Sequence, residues 1–198
     1  MREPQNIADL LELRPDFMGL IFWPKSSRCV PFNAQEYVKQ KFDNVTKVGV
    51  FVNEGFDAVL RYAKEFNLGA IQLHGDESPD FCARIPKEYK VLKAFGIAGS
   101  ADLDKLAPYA DCVDFFLFDY KTKGYGGSGQ KFDWSILNDA RIQKPFLLSG
   151  GLGPDDAAAV KSLNISNMIG IDLNSKFEDA PAQKNIGKLR TFLAEVRG

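Results

Sequence analysis

The chain has 198 residues, 45% of them hydrophobic, and its 25 lysines and arginines nearly balance its 26 aspartates and glutamates, leaving a formal net charge of -1. This length suits one sizeable core and no linker divides it, so we predict a single domain over residues 1–198. The balanced charge, and the lack of an apolar signal region or a run of about 18 apolar residues, indicate no nucleic-acid or membrane partner, and we expect a cytoplasmic protein that binds a small molecule.

Short apolar runs alternate with amphipathic stretches along the chain. The runs are apolar on both faces, which is typical of strands buried in a parallel sheet. Seven strands are predicted, at residues 17–23, 47–52, 70–73, 90–95, 113–118, 145–149 and 168–173. Eight helices are predicted, at residues 4–13, 33–42, 54–66, 78–85, 100–107, 133–140, 154–162 and 184–196.

This alternation implies parallel strands joined by right-handed crossovers, in a doubly wound open sheet or a (β/α)8 barrel. The first helix has no strand before it, so the tally is one strand short of a barrel, whose compact forms run to roughly 200 residues. We predict an α/β TIM barrel in which strand one is missing. The exposed edges of strands 17–23 and 168–173 would then leave the barrel open or promote self-association.

The segment around Asp119 is the most informative for function. An apolar run over residues 113–118 ends on this carboxylate, and a Gly-rich stretch follows at 123–131. Sheets and barrels of this class keep their chemistry at the carboxyl ends of the strands, which makes Asp119 a candidate acid. The alternative is an aspartate that caps a turn. The Gly-rich stretch matches G-x-G-x-x-G only formally, and its composition is typical of an active-site lid.

Two neighbouring loops have the features of a phosphate site. Gly150 and Gly151 follow one strand and precede a helix start, and residues 168–175 end the next strand on polar side chains. Glycines allow close backbone approach to an anion, and the loops after strands seven and eight of barrels commonly bind phosphate. The alternative is that the glycines serve only a tight turn.

Other polar residues allow narrower interpretations. Arg28 lies in the loop after strand 17–23, where a guanidinium can hold a carboxylate through paired hydrogen bonds or can simply be a solubilising charge. His74, the single histidine, ends strand 70–73 and either acts as an acid/base or orients a loop. Cys29, Cys82 and Cys112 are few and far apart, which argues against disulfides and zinc, and Cys29 is interpreted as a packing residue.

Five ordered motifs give the chain a resemblance to a known family. They are residues 22–28; residues 118–119 together with 126–129 and 132–134; and residues 72–77, 148–152 and 171–175. Together they resemble phosphoribosylanthranilate isomerase of tryptophan biosynthesis over essentially the whole chain. The resemblance implies a (β/α)8 barrel that converts N-(5-phosphoribosyl)anthranilate to 1-(2-carboxyphenylamino)-1-deoxyribulose 5-phosphate by an Amadori rearrangement, without a cofactor or a metal.

The resemblance also implies roles for single residues. Asp119 matches the general acid that protonates the furanose ring oxygen, and Arg28 matches the residue that holds the anthranilate carboxylate. Asp172 lines the pocket. The matching phosphate loops contain Gly150, Gly151, Asn174 and Ser175.

Two departures from the family pattern affect the expected activity. The family's general base is a cysteine at the end of strand one, just before a segment that residues 1–4 resemble, and none of the three cysteines here has that position. We therefore expect weak binding of phosphosugar and poor turnover, most simply explained by a start assigned at an internal methionine. Lys176 stands where the family usually has glycine, which predicts a changed backbone approach or added charge at the phosphate.

Two alternatives to this enzyme remain at the level of sequence. One is a non-catalytic phosphosugar-binding barrel. The other is a different phosphosugar barrel enzyme, such as indoleglycerol-phosphate synthase or a ribulose-phosphate epimerase, although the catalytic lysine pattern of the first and the metal-binding histidines of the second are absent. A monomer or a homodimer is expected in each case.

Overall fold

Seven parallel strands in chain order form the centre of the fold. The structure is a computed structural model, which describes residues 1–34, 36–121 and 131–198. Each strand pairs in parallel with the next, from β1 through to β7. The strands are β1 (Phe17–Ile21), β2 (Thr46–Phe51), β3 (Ala70–Leu73), β4 (Lys90–Ile97), β5 (Phe115–Tyr120), β6 (Phe146–Leu148) and β7 (Met168–Ile171). All seven lie at or within a few residues of the predicted positions.

Helices follow most of these strands. Within the described ranges the α-helices are α1 (Pro4–Leu11), α2 (Glu36–Lys39), α3 (Phe56–Glu65), α4 (Pro79–Ala83), α5 (Ala157–Ser162) and α6 (Ile186–Arg197). The prediction of eight helices is not confirmed, because residues Ser100–Lys105 and Trp134–Asn138 form 3-10 helices. Pro108 lacks an N–H and disfavours continuation of the first, and Asp139 is extended and ends the second. None of the described helices is long and apolar enough to cross a bilayer.

The strands have two buried faces. The outer face contributes to the main core with the helices, and even its lysines are buried: Lys93 donates to the carbonyls of Leu73, Gly75 and Ala94. The inner face carries a second, smaller cluster. Its members are Val48, Ala70, Leu92, Ala94, Leu117 and Leu147. Burial on both faces explains why the strand sequences are apolar runs rather than alternating patterns.

A short hairpin follows the sheet. It consists of β8 (Glu178–Ala180) and β9 (Gln183–Lys184), which pair antiparallel. The predicted helix at 184–196 therefore begins later, at Ile186, because the Asn185 side chain caps it by accepting the Lys188 N–H at 2.8 Å. The two ends of the chain are also in contact, because Arg197 at the end of α6 donates to the Leu13 carbonyl at 3.0 Å.

Within the described residues, β1 and β7 are the two edges of the sheet. Every residue of β7 is at least partly exposed, and Ile169 is 52% exposed, which is unusual for a strand of an apolar parallel sheet. Unpaired edges of this kind are sites where another strand can pair.

Candidate active site

A cavity of about 1220 Å³ extends along the inner face of the sheet. It runs from residues at the amino ends of the strands, such as Asp16 and Thr46, to the carboxyl ends of the strands. Its wall is built from alternate strand residues, such as Val48 and Val50 of β2, so the inner face of the sheet surrounds it. All the predicted site residues line this one cavity: Arg28, Asp119, Gly150, Gly151, Asp172, Asn174 and Ser175. The predicted lid lies largely outside the described residues, which stop at Lys121 and resume at Lys131.

Asp119 lies near the end of β5 and is 9% exposed. One carboxylate oxygen accepts the Tyr120 N–H at 2.7 Å, while the other lies 3.5 Å from Nε2 of His74. The Gln72 amide nitrogen lies 2.9 Å from Nδ1 of the same imidazole. His74 thus lies between the Gln72 amide and the Asp119 carboxylate. The carboxylate thus binds the next residue's N–H within β5 and also lines the cavity.

Gly150 packs directly against this carboxylate. Its φ is +87°, and a Cβ there would lie 2.5 Å from the Tyr120 nitrogen and 2.7 Å from the Oδ1 atom of Asp119. Gly151 also has a positive φ, of 68°. The turn therefore needs glycine at both positions for its left-handed backbone, and Gly150 is also needed for its close approach to Asp119. The phosphate-binding role of the pair stays a prediction.

Gly150→Ala is expected to destabilise the protein by about 1–3 kcal/mol and to displace the Asp119 carboxylate, since both the backbone and the space disfavour a side chain. Urea unfolding followed by circular dichroism measures the change. Gly55→Ala is the matched control, because no atom lies within 4 Å of its added Cβ and its φ is -65°. Equal stability of the two variants would contradict the packing role of Gly150.

Asp172 follows β7 and faces Asp119 across the cavity mouth. Its carboxylate accepts a hydrogen bond from the Ser149 hydroxyl at 3.1 Å. Burial raises the pKa of Asp172 above its usual 3.8, and the charge of Asp119 adds to the rise, although Lys184 opposes it. The ionised form of Asp172 is therefore disfavoured in the folded protein.

Asp172→Asn is consequently expected to raise the melting temperature at pH 7 by about 2–4 °C. The pKa of Asp172 is higher in the folded than in the unfolded protein, so its protonated form favours folding. This contribution is complete at pH values below the unfolded pKa of about 3.8, and it is lost as the pH rises through the folded pKa. The gain of the neutral variant should therefore vanish near pH 3.5. Thermal melts at both pH values, with exposed Asp155→Asn as control, measure this; a gain that is the same at both would refute it.

The second predicted phosphate loop runs from Asn174, which begins the 3-10 helix Ser175–Phe177. Lys176 is exposed and its aliphatic stem lies over Gly153. The Gly153 N–H is not free for an anion, because the Asp156 carboxylate accepts it at 2.7 Å. Burial would raise the pKa of Asp156, but its hydrogen bonds to Lys131 and the Gly153 N–H and the charges of Lys131 and Lys176 lower it. The effect of Lys176 on phosphate binding stays a prediction.

Three polar residues of the mouth were missed by sequence reasoning. Ser149 holds Asp172, while Glu178 and Lys184 form ion pairs next to Arg28. Ser149 stands at a strand end within the motif of residues 148–152, and this position could have identified it as a site residue. Glu178 and Lys184 lie in the hairpin, and no local pattern relates them to a residue 150 positions earlier.

A sequence model described as N-(5'phosphoribosyl)anthranilate (PRA) isomerase matches residues 1–195. The chain belongs to this family. The N-(5'-phosphoribosyl)anthranilate isomerase of Parabacteroides distasonis is 42% identical over 199 residues, which cover 99% of this chain and 90% of that protein. The solved phosphoribosyl anthranilate isomerase of Thermotoga maritima has a TM-score of 0.86 at 30% identity, over 100% of this chain and 96% of that one. A further solved isomerase, in complex with reduced 1-(o-carboxyphenylamino)-1-deoxyribulose 5-phosphate, has a TM-score of 0.83 at 27% identity and coverage of 100% and 95%.

The family match confirms the resemblance carried by the five motifs, and it excludes the other phosphosugar barrel families as the source of those motifs. The seven parallel strands correspond to the sheet of phosphoribosylanthranilate isomerase structures. The fold prediction is thus confirmed for its class and its strand order.

Proposed function

We propose that this single-domain chain is built to catalyse the phosphoribosylanthranilate isomerase reaction of tryptophan biosynthesis. The observation that carries the proposal is that every motif-derived site residue lines the same cavity, in the part of it at the carboxyl ends of the strands. Such a position is where barrel enzymes bind phosphosugars.

Asp119 is proposed as the general acid. It protonates the furanose ring oxygen, the C1–O bond breaks, and a Schiff base forms between C1 and the anthranilate nitrogen. Loss of the C2 proton to a base then gives an enolamine, which tautomerises to the ketone. The Tyr120 N–H and His74 orient the Asp119 carboxyl for the first step.

The two ends of the substrate are held by separate groups in this proposal. Arg28 binds the anthranilate carboxylate by its guanidinium N–H groups. The phosphate lies between the loop of Gly150 and Gly151 and the loop of Asn174 and Ser175, where the backbone approaches closely. Asp172 lines the space between them.

We also propose that residues 1–198 make up a barrel that is one strand short of closure, with the general base belonging to the absent position. This is supported by β7, beside which the described residues place no further strand, and by a cavity whose lining residues include no cysteine among those described. The edge of β1 is partly occupied, because the Gly19 carbonyl accepts the Met1 amino group and the Ile21 carbonyl accepts the Val30 N–H. Open edges favour pairing between copies, so a monomer in equilibrium with a dimer is expected in sedimentation experiments.

Calorimetric titration with reduced 1-(o-carboxyphenylamino)-1-deoxyribulose 5-phosphate tests the proposed function without requiring turnover. We expect one site per chain, with binding weakened by inorganic phosphate and by Arg28→Met. Lys25→Met, in the same loop, serves as the control. Failure of the unaltered chain to bind this ligand would refute the proposal, whereas binding without any measurable isomerisation would favour a non-catalytic barrel.

A further inference from the structure

One buried carboxylate joins two cations at the cavity mouth. The Glu178 side chain is only 4% exposed. Its Oε2 atom accepts a hydrogen bond from Nε of Arg28 at 2.8 Å and lies 2.7 Å from Nη2 of the same guanidinium in an ion pair. Its Oε1 atom accepts Nζ of Lys184 at 3.2 Å. Both oxygens of this glutamate are thus used to hold neighbouring side chains.

The connection continues from Lys184 to the proposed phosphate loop. Its ammonium also donates to the Asn174 Oδ1 atom at 2.7 Å, and its side chain is 10% exposed. Arg28, Glu178, Lys184 and Asn174 therefore form one continuous chain of contacts, from the loop after β1 to the loop after β7. All four residues line the cavity.

The hairpin that carries this chain of contacts is firmly anchored. Glu178 and Lys184 are directly opposed in the β8–β9 ladder. The Asn6 side chain of α1 binds the Lys184 backbone twice, donating to its carbonyl at 2.8 Å and accepting its N–H at 2.7 Å. Phe177 is fully buried and packs on Phe192 of α6 with ring centroids 5.1 Å apart. The carboxylate is therefore presented from a fixed backbone.

A purely stabilising function does not explain the arrangement well. Buried ion pairs give little net stability, because removing both charges from water offsets their attraction. Burial alone would raise the pKa of Glu178. Its hydrogen bond to Arg28 and the charges of Lys184 and Arg28 outweigh burial and lower that pKa, so this carboxylate is ionised at neutral pH. A guanidinium has five N–H donors, and Glu178 engages Arg28 on its Nε and Nη2 side, which leaves donors of the guanidinium for an anion in the cavity.

We propose that Glu178 is a positioning residue that orients Arg28 for the carboxylate of an N-aryl phosphosugar and, through Lys184, ties this orientation to the loop of Asn174. The inference rests on the proposed function and names a determinant of its specificity. The site selects ligands that carry both a carboxylate and a phosphate, because the two binding groups are held relative to each other by the hairpin.

The test compares two ligands by calorimetry. One is reduced 1-(o-carboxyphenylamino)-1-deoxyribulose 5-phosphate, and the other is the same compound without its carboxylate. Their affinity ratio in the unaltered chain measures recognition of the carboxylate. Glu178→Ala is expected to lower this ratio about tenfold, as is typical for loss of a charge-assisted hydrogen bond. Glu178→Gln keeps an acceptor for Arg28 and should retain most of the ratio.

A double-variant cycle identifies the route of the effect. If Glu178 acts through Arg28, the ratio in the Arg28→Ala, Glu178→Ala double variant should equal that in Arg28→Ala alone. Glu195→Ala, on the exposed surface of α6, is the matched control and should leave the ratio unchanged.

Three outcomes decide the matter. If Glu178→Ala weakens binding of both ligands equally and preserves the affinity ratio, Glu178 only stabilises the fold. If the effects in the double variant are additive, Glu178 acts independently of Arg28. Either result overturns this inference and leaves the proposed function standing. If the unaltered chain binds neither ligand, the proposed function fails as well. If a thermal melt shows that Glu178→Ala does not fold, the affinity ratio of the two ligands is measured in Glu178→Gln instead. A ratio as low as that of Arg28→Ala would then overturn the positioning role, because glutamine keeps an acceptor for Arg28.

Discussion

A version of the chain with a β-strand ending in Cys-Gly joined directly before Met1 is expected to isomerise N-(5-phosphoribosyl)anthranilate at least about 100-fold faster than residues 1–198. A positioned general base typically contributes about 10²–10⁴ in rate. The cysteines of residues 1–198 are poor substitutes. None of them lines the cavity, and burial raises the pKa of Cys29 and of Cys112, and that of Cys82 to about 12.

The added strand has a second effect, on the fold. It can pair with the open edge of β7 and cover Ile169, and it can pair with β1 where it replaces the contacts of Met1 and Val30 there. We expect a higher melting temperature and less self-association, because apolar surface and unpaired backbone groups are removed from water.

A matched version separates the two effects. The same strand ending in Ala-Gly should restore stability and ligand binding but not the rate. Steady-state fluorescence of the anthranilate group follows the reaction, and thermal melts follow the fold. The prediction is contradicted if residues 1–198 are already as fast as the extended chain, or if the alanine version equals the cysteine version.

The strands were predictable because their physical signal is local. A strand buried on both faces requires an apolar run, and such runs placed all seven strands within a few residues of their observed positions. The predicted strands differ from the observed ones mainly at their ends. The strand predicted at 113–118 is observed at Phe115–Tyr120, because Asp114 stays outside it and accepts the Val91 N–H at 2.9 Å. Asp119 consequently lies within the strand, and alternation along the strand aims it at the cavity.

The residues that surround the candidate acid were only partly predictable. Motif positions at strand ends gave Asp119, Arg28 and the two loops, since parallel strands bring their carboxyl ends to one edge of the sheet. Gly150 leaves room for the Asp119 carboxylate only because the ends of β5 and β6 lie close together, and the sequence does not show that distance. The same holds for Glu178 and Arg28, whose contact is made by a hairpin anchored on helices from both ends of the chain.

The other prediction with a large effect concerns the acid itself. Asp119→Asn is expected to lower kcat by about 10²–10⁴-fold in the extended version of the chain, while the affinity for the reduced product analogue changes only a few-fold. An amide has nearly the shape of the carboxyl and can still accept the Tyr120 N–H, so the local fold is retained. It has no acidic proton to give to the ring oxygen, so opening of the furanose loses its catalyst.

The exposed Asp111→Asn is the matched control, because it makes the same chemical change far from the cavity lining and should leave kcat unaltered. The split between kcat and affinity is the decisive readout. A residue that merely capped the turn at Tyr120 would lose stability and affinity together, and would not reduce the chemical step selectively. If Asp119→Asn kept kcat within a few-fold of the parent, the proton would have to come from another group, and His74, 3.5 Å away, would be the first to substitute.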